Sequence, residues 1–393
     1  ALRELIRETG AATVTWNRLY EPAIIERDRQ VKAALRGDGV AAASYNGALL
    51  QEPWTVRKGD GGHYKVFTPF RRALERAGPF EAPAPVPEGL TGLAERPRSE
   101  TIDGLGLLPR IRWDRGFQPL WRPGEAGAQE RLTAFLEERL PDYGERRDWP
   151  ARHATSGLSA HLHWGEISPR QIHAAAQART DAPPDDREAF LGELAWREFG
   201  HHLLFHHPSM PDEPLDSRFS AFPWADEQEA ALQAWQRGQT GIPIVDAGMR
   251  ELWETGWMHN RLRMVVGSLL TKNLLIPWQR GEAWFWDTLV DADLANNSMG
   301  WQWIQGCGAD AAPYFRIFNP VRQGERFDPD GAYVRQWVPE LHALPARHIH
   351  APWQAPAGTL NPAGLQLGRE YPEPIVDLGA SRKAALAAYQ AIR

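Results

Sequence analysis

The residues of this chain that could do chemistry recur at helical spacing. In "EAFLGELAWREFGHHLLFHHP", at about 100° per residue, Glu193, Trp196, Arg197 and Gly200 fall on one side, and Leu191, Leu194, Ala195 and Phe199 on the other. A carboxylate, an indole platform and a guanidinium beside a glycine can line a site; a solvated face with an incidental Trp accounts for the same residues. The stretch "ELWETGWMHNRLRMVVGSLLTKNLL" reads as one further helix. It sets Asn260, Arg263, Met264 and Gly267 at i, i+3, i+4 and i+7, opposite Leu262, Val265, Val266 and Leu269. The glycine in each polar stripe permits close approach of a flat ligand or of another helix. Between Asp291 and Pro320, "DADLANNSMGWQWIQGCGADAAPYFRIFNP" crowds together two aspartates, two adjacent asparagines and two indoles. Thr155, Ser156 and Ser159 surround Gly157 ahead of a helical stretch. Hydroxyls and free N–H groups there suit phosphate oxygens, although a plain helix N-cap is the simpler account.

Metal chemistry finds little support. His202 and His206 lie four apart, as helical zinc ligands do, but the HExxH glutamate is missing and a surface histidine cluster is expected. Asp291-x-Asp293 opens like a calcium loop, yet Asn296 stands at the sixth position where Gly is needed, and no Glu follows at the twelfth. No metal site is therefore expected. The single cysteine, Cys307, excludes an intramolecular disulfide and any all-cysteine metal site, and it fits a reducing cytoplasm. No GxGxxG or Walker A pattern occurs, which argues against a Rossmann dehydrogenase or P-loop hydrolase.

The elements that must position these residues divide the chain unevenly. Residues 1–75 read as α/β, with strands at "AATVTWN" and "AAASYNG" around the helix "IIERDRQVKAALRGDGV". That is too little for a complete doubly wound sheet. Residues 76–128 are rich in Pro, Gly and Arg and read as an interdomain connector. From residue 129 to 393 helical patterns dominate, so the fold class is α/β followed by a large all-α domain. No apolar run approaches the roughly 20 residues that span a bilayer, and a cytoplasmic protein is expected. A net charge of -6 argues against general polyanion binding, but Arg clusters in "PRIRWDRGFQPLWRPG" and "GERRDWPAR" leave room for a local basic groove. The 18 Trp exceed what core packing needs and point to stacking, interfaces or redox use.

Taken together, "TSGLSAHLHWGEISPRQ", "ELAWREFGHHL", "GIPIVDAGMRELWETGWMHNRLRM", "DADLANNSMGWQW" and "DAAPYFRIFNP" resemble the flavin-binding helical domain of the photolyase/cryptochrome family. Within it the chain looks most like a class I cyclobutane pyrimidine dimer photolyase. The resemblance implies a U-shaped FAD that, reduced and excited by blue light, passes an electron to a pyrimidine dimer flipped out of DNA. It implies that Tyr143, Thr155, Ser156, Leu158 and Ser159 hold the FAD phosphates and ribityl chain. Arg197, Asn260, Arg263, Asp291, Asp293 and Asn297 would contact the flavin, with Asn297 at N5 and both aspartates paired to Arg263 and ring N–H groups. Glu193, Trp196, Met264 and Trp303 would meet the dimer, Asn260 would contribute there too, and Arg147, Arg261 and Arg316 would contact DNA phosphates. Trp301, Trp278 and Trp224 would relay electrons to the flavin.

Finer distinctions follow from departures. A 6-4 photolyase would carry a histidine pair where this chain has "HNRLRM", and a plant-type cryptochrome would have Asp at Asn297; a blue-light receptor remains the alternative. The family's opening Trp-Phe-Arg-x-Asp-Leu-Arg motif is missing, so the chain is expected to lack the first strands of the antenna domain. In "WNRLYEPAIIERD" Ala23 and Ile24 stand where the resemblance places the Asn-Glu pair of folate-binding members. That weakens a folate antenna and leaves the second chromophore unknown. A monomer acting on DNA that contains pyrimidine dimers is expected.

Overall fold

The computed structural model describes residues 1–89, 91–225, 228–311 and 315–393. Small and β-branched residues form two parallel strands, β1 (Thr13–Asn17) and β2 (Ala41–Tyr45), in register from Thr13 opposite Ala41 to Asn17 opposite Tyr45. Parallel pairing needs a crossover. Helix α2 (Pro22–Gly37) supplies it, with Pro at its first position, and α1 (Leu2–Thr9) precedes the sheet and stops at Gly10, φ 67°. The α/β start and the helical remainder agree with the sequence reading.

After β2 the chain leaves the sheet and attaches to the helices. Helix α3 (Phe67–Arg76) buries Phe67, Phe70 and Leu74 against Phe199 and Leu203 of a long helix at Pro184–His206. Nearby, the buried Glu198 carboxylate accepts the backbone N–H groups of Leu50 and Gln51, at 2.9 and 3.2 Å. Burial pushes the Glu198 carboxyl up, and the Arg197 guanidinium and these two N–H groups oppose the shift. Residues 77–124 then run largely exposed, with single helical turns at Asp103–Leu105 and Trp113–Gly116.

The helical part comprises α4 (Glu125–Glu138), α5 (Tyr143–Arg146), α6 (Ser159–His163), α7 (Pro169–Ala178), α8 (Pro184–His206), α9 (Glu229–Gln236), α10 (Pro243–Thr255), α11 (Asn260–Ser268), α12 (Trp278–Thr288) and α13 (Leu294–Gln305), followed by several short elements and a last helix at Leu378–Ala391. Ser168 and Gln171 close a capping box at the start of α7, and Asp293 and Asn319 cap the helices that follow them. The main core lies among α9 to α13 and contains Trp235, Trp278 and Trp301. No helix among the described residues is long and apolar enough to cross a membrane.

Two sequence expectations are corrected here. The stretch read as one helix from Glu251 is broken: α10 ends at Gly256, φ 68°, and α11 begins only at Asn260, continuing into a π turn at Leu269–Asn273. A Cβ on Gly256 would lie 2.5 Å from Val290 Cγ1, so both conformation and space demand glycine. The histidines are not a surface cluster, because His202 is 1% exposed. Its Nδ1 donates to the Pro53 carbonyl at 3.2 Å and its Nε2 accepts the Tyr64 N–H at 3.1 Å. Only a neutral ring does both. His206, which stacks on His63 at 4.7 Å, stands beside it.

Burial, then the nearby His206, pushes His202 down to about 3. An unfolded His takes up a proton near pH 6.5, so below that the unfolded chain binds a proton that the folded chain refuses. Stability should therefore fall as pH drops from about 6.5 toward about 3, by about 2 kcal/mol from this residue at pH 5. His202→Gln does not titrate and should lose less stability between pH 7 and pH 5 in urea titrations; an equal loss in both proteins would exclude His202 as a source.

Candidate functional site

Helices α8, α11 and α13 and the α5–α6 region converge on a cavity of about 520 Å³, within the usual size of small-ligand sites. Its floor is set by one indole. Trp301 of α13 is buried and lies edge-on to Phe285 at 5.0 Å and to Trp235 at 6.2 Å. A Cβ on Gly281 of α12 would stand 2.1 Å from Trp301 Cη2, and one on Gly267 of α11 would meet Ile304 at 2.9 Å and Trp301 at 3.3 Å. Gly267 therefore serves helix packing, as does Gly200, where a Cβ would stand 2.9 Å from Asn296 Oδ1.

The polar wall is built from paired groups. Arg263 is aimed by its Nε, which donates to the Met258 carbonyl at 2.8 Å, and its Nη2 donates to both Asp291 oxygens at 2.9 and 3.1 Å. Asp293 caps α13. Its Oδ1 accepts Asn296 N–H and Nδ2–H, while its Oδ2 lies 3.3 Å from His201 Nε2. Burial alone would raise the Asp293 carboxyl, but the charge and hydrogen bond of His201, with Arg197 and the Asn296 N–H, hold it well below the usual range. The sequence reading paired the two aspartates with Arg263 and ring N–H groups; in the structure Arg263 pairs with Asp291, and Asp293 lies against His201. Arg197 donates to the Ala48 carbonyl at 2.6 Å, which ties the segment after β2 to the cavity.

Asn297 Nδ2 donates to the Glu282 carbonyl at 3.0 Å. That orients the amide, because a carbonyl oxygen only accepts and of the two amide ends only the nitrogen donates, so Oδ1 is left as an acceptor. The same Glu282 takes the Ser298 hydroxyl on its carboxylate. Burial pushes Glu282 up to about 7.

A second group of residues lines the same cavity from α8 and α5. Glu193 Oε1 pairs with Arg147 Nη2 at 2.7 Å, and the Arg147 guanidinium lies over the Tyr143 ring at 5.3 Å. Trp196 presents one face to Phe67, stacked at 3.6 Å, and borders the cavity with Trp303, Met264 and Asn260. Thr155, Ser156, Leu158 and Ser159 complete the lining. Helix α6 has no side-chain N-cap, so the N-cap account of these hydroxyls fails. Gly157 among them has φ 63°, and a Cβ there would come 2.5 Å from Arg131 Nη1.

Four expected residues lie outside the lining. Arg261 Nη2 pairs with Asp148 at 2.5 Å, and Arg316 is exposed with its guanidinium 5.8 Å from the Phe318 ring. Trp278 is buried in the same core as Trp301, and half-buried Trp224 packs against that core. The Ala-Pro-Tyr of "DAAPYFRIFNP" falls outside the described residues. Sequence reasoning missed Asp148, His163, Phe285 and Asn296 in the lining and His201 behind it. Two of these had a signal: Asn296 adjoins Asn297, and His201 follows Arg197 by one helical turn.

The residues present fit FAD. Hydroxyls beside Arg131 suit phosphates, matched carboxylate and guanidinium groups suit the polar edge of a flavin, and the buried Trp301 Nε1 has no partner among the described residues. Comparison with known proteins decides the relationship. Residues 190–391 match the FAD binding domain of DNA photolyase, and residues 1–88 match the DNA photolyase family. A deoxyribodipyrimidine photo-lyase of Agrobacterium fabrum is 50% identical over 394 residues, covering 100% of this chain and 82% of that protein. The chain belongs to the photolyase/cryptochrome family. The Escherichia coli photo-lyase is 40% identical, covering 100% of this chain and 81% of its own. Arabidopsis thaliana cryptochrome-2 is 38% identical, and the chain spans 64% of its length. The crystal structure of a class III photolyase from Agrobacterium tumefaciens superposes with TM-score 0.96 at 50% identity, covering 100% of this chain and 81% of that one. A class I designation therefore gains no support. FAD is the cofactor of the matched domain.

Replacing Arg263 by Leu would leave Asp291 buried without its cation, a change that costs about 3–5 kcal/mol. The flavin-to-protein absorbance ratio after purification should fall with it, and normal flavin content in a folded variant would remove Arg263 from the cofactor site.

Proposed function

We propose that this protein repairs DNA in a light-driven reaction that splits cyclobutane pyrimidine dimers. One observation carries this reading: Glu193, Trp196, Met264 and Trp303 line the same cavity as the residues that fit FAD. FAD held there in its reduced form would supply a light-excited electron to the dimer and would take it back once the ring has opened. The chain's own residues do the rest. Trp196, rigidified by Phe67 behind it, and Trp303 offer ring faces to a flipped-out dimer, worth about 1–3 kcal/mol per stacked base. That offsets an extrusion cost of a few kcal/mol, which is smallest for damaged bases. Arg147 fixes Glu193 by Oε1 and leaves Oε2 to accept a base N–H. Asn297 is oriented to present an oxygen, which suits a flavin nitrogen that carries a proton.

Trp301, Trp278 and Trp224 make a path from the cavity floor toward the surface. Trp301 rests on Gly281, one turn along α12 from Trp278, and Trp224 packs against the core that holds both, with the neighbouring Ala225 N–H donating to the Leu275 carbonyl. Arg147 and Arg261, both candidates for DNA phosphates, each have a carboxylate partner. A phosphate must compete with that partner, so we assign Arg147 first to Glu193.

The test is restoration of a thymine-dimer oligonucleotide by the photoreduced protein under blue light. Repair in light and none in darkness supports the reading; a flavin-loaded, reduced protein that repairs nothing would favour a cryptochrome-type receptor, to which the plant relatives also point. Glu193→Ala should lower repair yield by more than about tenfold with flavin content retained, and parallel loss of both would place Glu193 in the cofactor site. Trp301→Phe should abolish photoreduction of oxidised flavin while repair by chemically reduced protein persists; unchanged photoreduction would sink the tryptophan path.

A further inference from the structure

His201 lies on α8 one turn beyond Arg197, and both of its ring nitrogens face acceptors. Nδ1 stands 3.1 Å from the Arg197 carbonyl oxygen, and Nε2 stands 3.3 Å from Asp293 Oδ2. A backbone carbonyl oxygen only accepts, so Nδ1 carries a hydrogen. The other Asp293 oxygen already accepts two N–H groups of Asn296, at 2.8 and 2.6 Å, as an ionised carboxylate does. The contact at Oδ2 therefore needs a proton on Nε2 as well. A ring that donates from both nitrogens is an imidazolium. Buried His201 thus faces the half-buried Asp293 carboxylate at the cavity wall with both ring nitrogens set to donate.

The surroundings are mixed in sign. On α8 itself, the Glu198 carboxylate feels both Arg197 and His201. From the entry to α2, Tyr20 meets the imidazole edge-on at 6.1 Å, with its hydroxyl turned to Glu52. Glu21 feels both Asp293 and His201, with His163 and Arg27 also near it; burial first, then Asp293, pushes the Glu21 carboxyl up.

We propose that His201 is a positioning residue for the flavin: its imidazolium pins the Asp293 carboxylate at the cavity wall and cancels its charge, so that the site tolerates the negative charge of a reduced flavin. An unmatched carboxylate at the cavity wall beside that anion would oppose reduction, since like charges interact strongly where little water reaches. Arg263 performs the same neutralisation for Asp291. The inference rests on the flavin reading of the cavity, and it assigns the second carboxylate's partner to a helix that also contacts the α/β segment.

Two variants of the intact chain separate hydrogen bonding from charge. His201→Gln keeps an N–H toward Asp293 and removes the cation; His201→Ala removes both. At one fixed mediator potential, the ratio of reduced to oxidised flavin should fall about tenfold or more in His201→Gln, with FAD affinity within about threefold of the parent. His201→Ala should lose about tenfold in affinity as well. If His201→Ala does not fold, His201→Gln alone carries the test. Lower thermal stability with unchanged reduction ratio in His201→Gln is the result of a merely structural histidine and overturns the proposal. A parent chain that binds no FAD would instead overturn the flavin reading, so the two failures are distinguishable.

Discussion

Everything around the cavity depends on three helices approaching one indole. Trp301 occupies space that two missing methyl groups leave open, at Gly267 on α11 and Gly281 on α12. The ring in turn spaces α13 from its neighbours. If either glycine gained a side chain, α13 would have to move, and with it Asp293 at its start and Asn297 one turn on. Interiors packed at crystal-like density transmit such shifts instead of absorbing them. A buried steric fit thus governs polar geometry at the cavity wall.

On that frame the charged groups are balanced locally. Asp291 faces Arg263, Asp293 faces His201, Glu193 faces Arg147 and Asp148 faces Arg261. Buried ion pairs add little stability compared with apolar packing, but losing one partner is expensive. Their value in this fold is that each carboxylate has a fixed direction. The Glu282 carbonyl does the same for the Asn297 amide without any charge.

Much of this was legible in the sequence. The strand–helix–strand start, the succession of helices and the two polar stripes follow from periodicity. Thr155 to Ser159, Glu193 to Arg197, Asn260 to Met264 and Asp291 to Trp303 meet in one cavity although more than a hundred positions separate the first from the last. What escaped depends on contacts between distant segments. His201 sits in a run of histidines whose composition suggests solvent, and only the folded chain shows Asp293 against it. His202 is buried because residues 53 and 64 fold over it. The break at Gly256 had a local signal, but apolar periodicity on both sides of it concealed the stop. Arg147 and Arg261 were expected at DNA phosphates, and their carboxylate partners are visible only in three dimensions.

The attachment of α3 changes what the long exposed stretch after it can be. Residues 77–124 have the composition of a linker, and linkers invite dissection. Yet Phe67, Phe70 and Leu74 on its near side form part of the core with Phe199 and Leu203 on its far side, and Glu198 holds the backbone at Leu50 and Gln51. A helical fragment cut at the stretch would carry a bared aromatic face and a buried carboxylate stripped of its donors. The segment is a strap around a shared interior, and the portable unit for engineering is the whole chain on both sides of it.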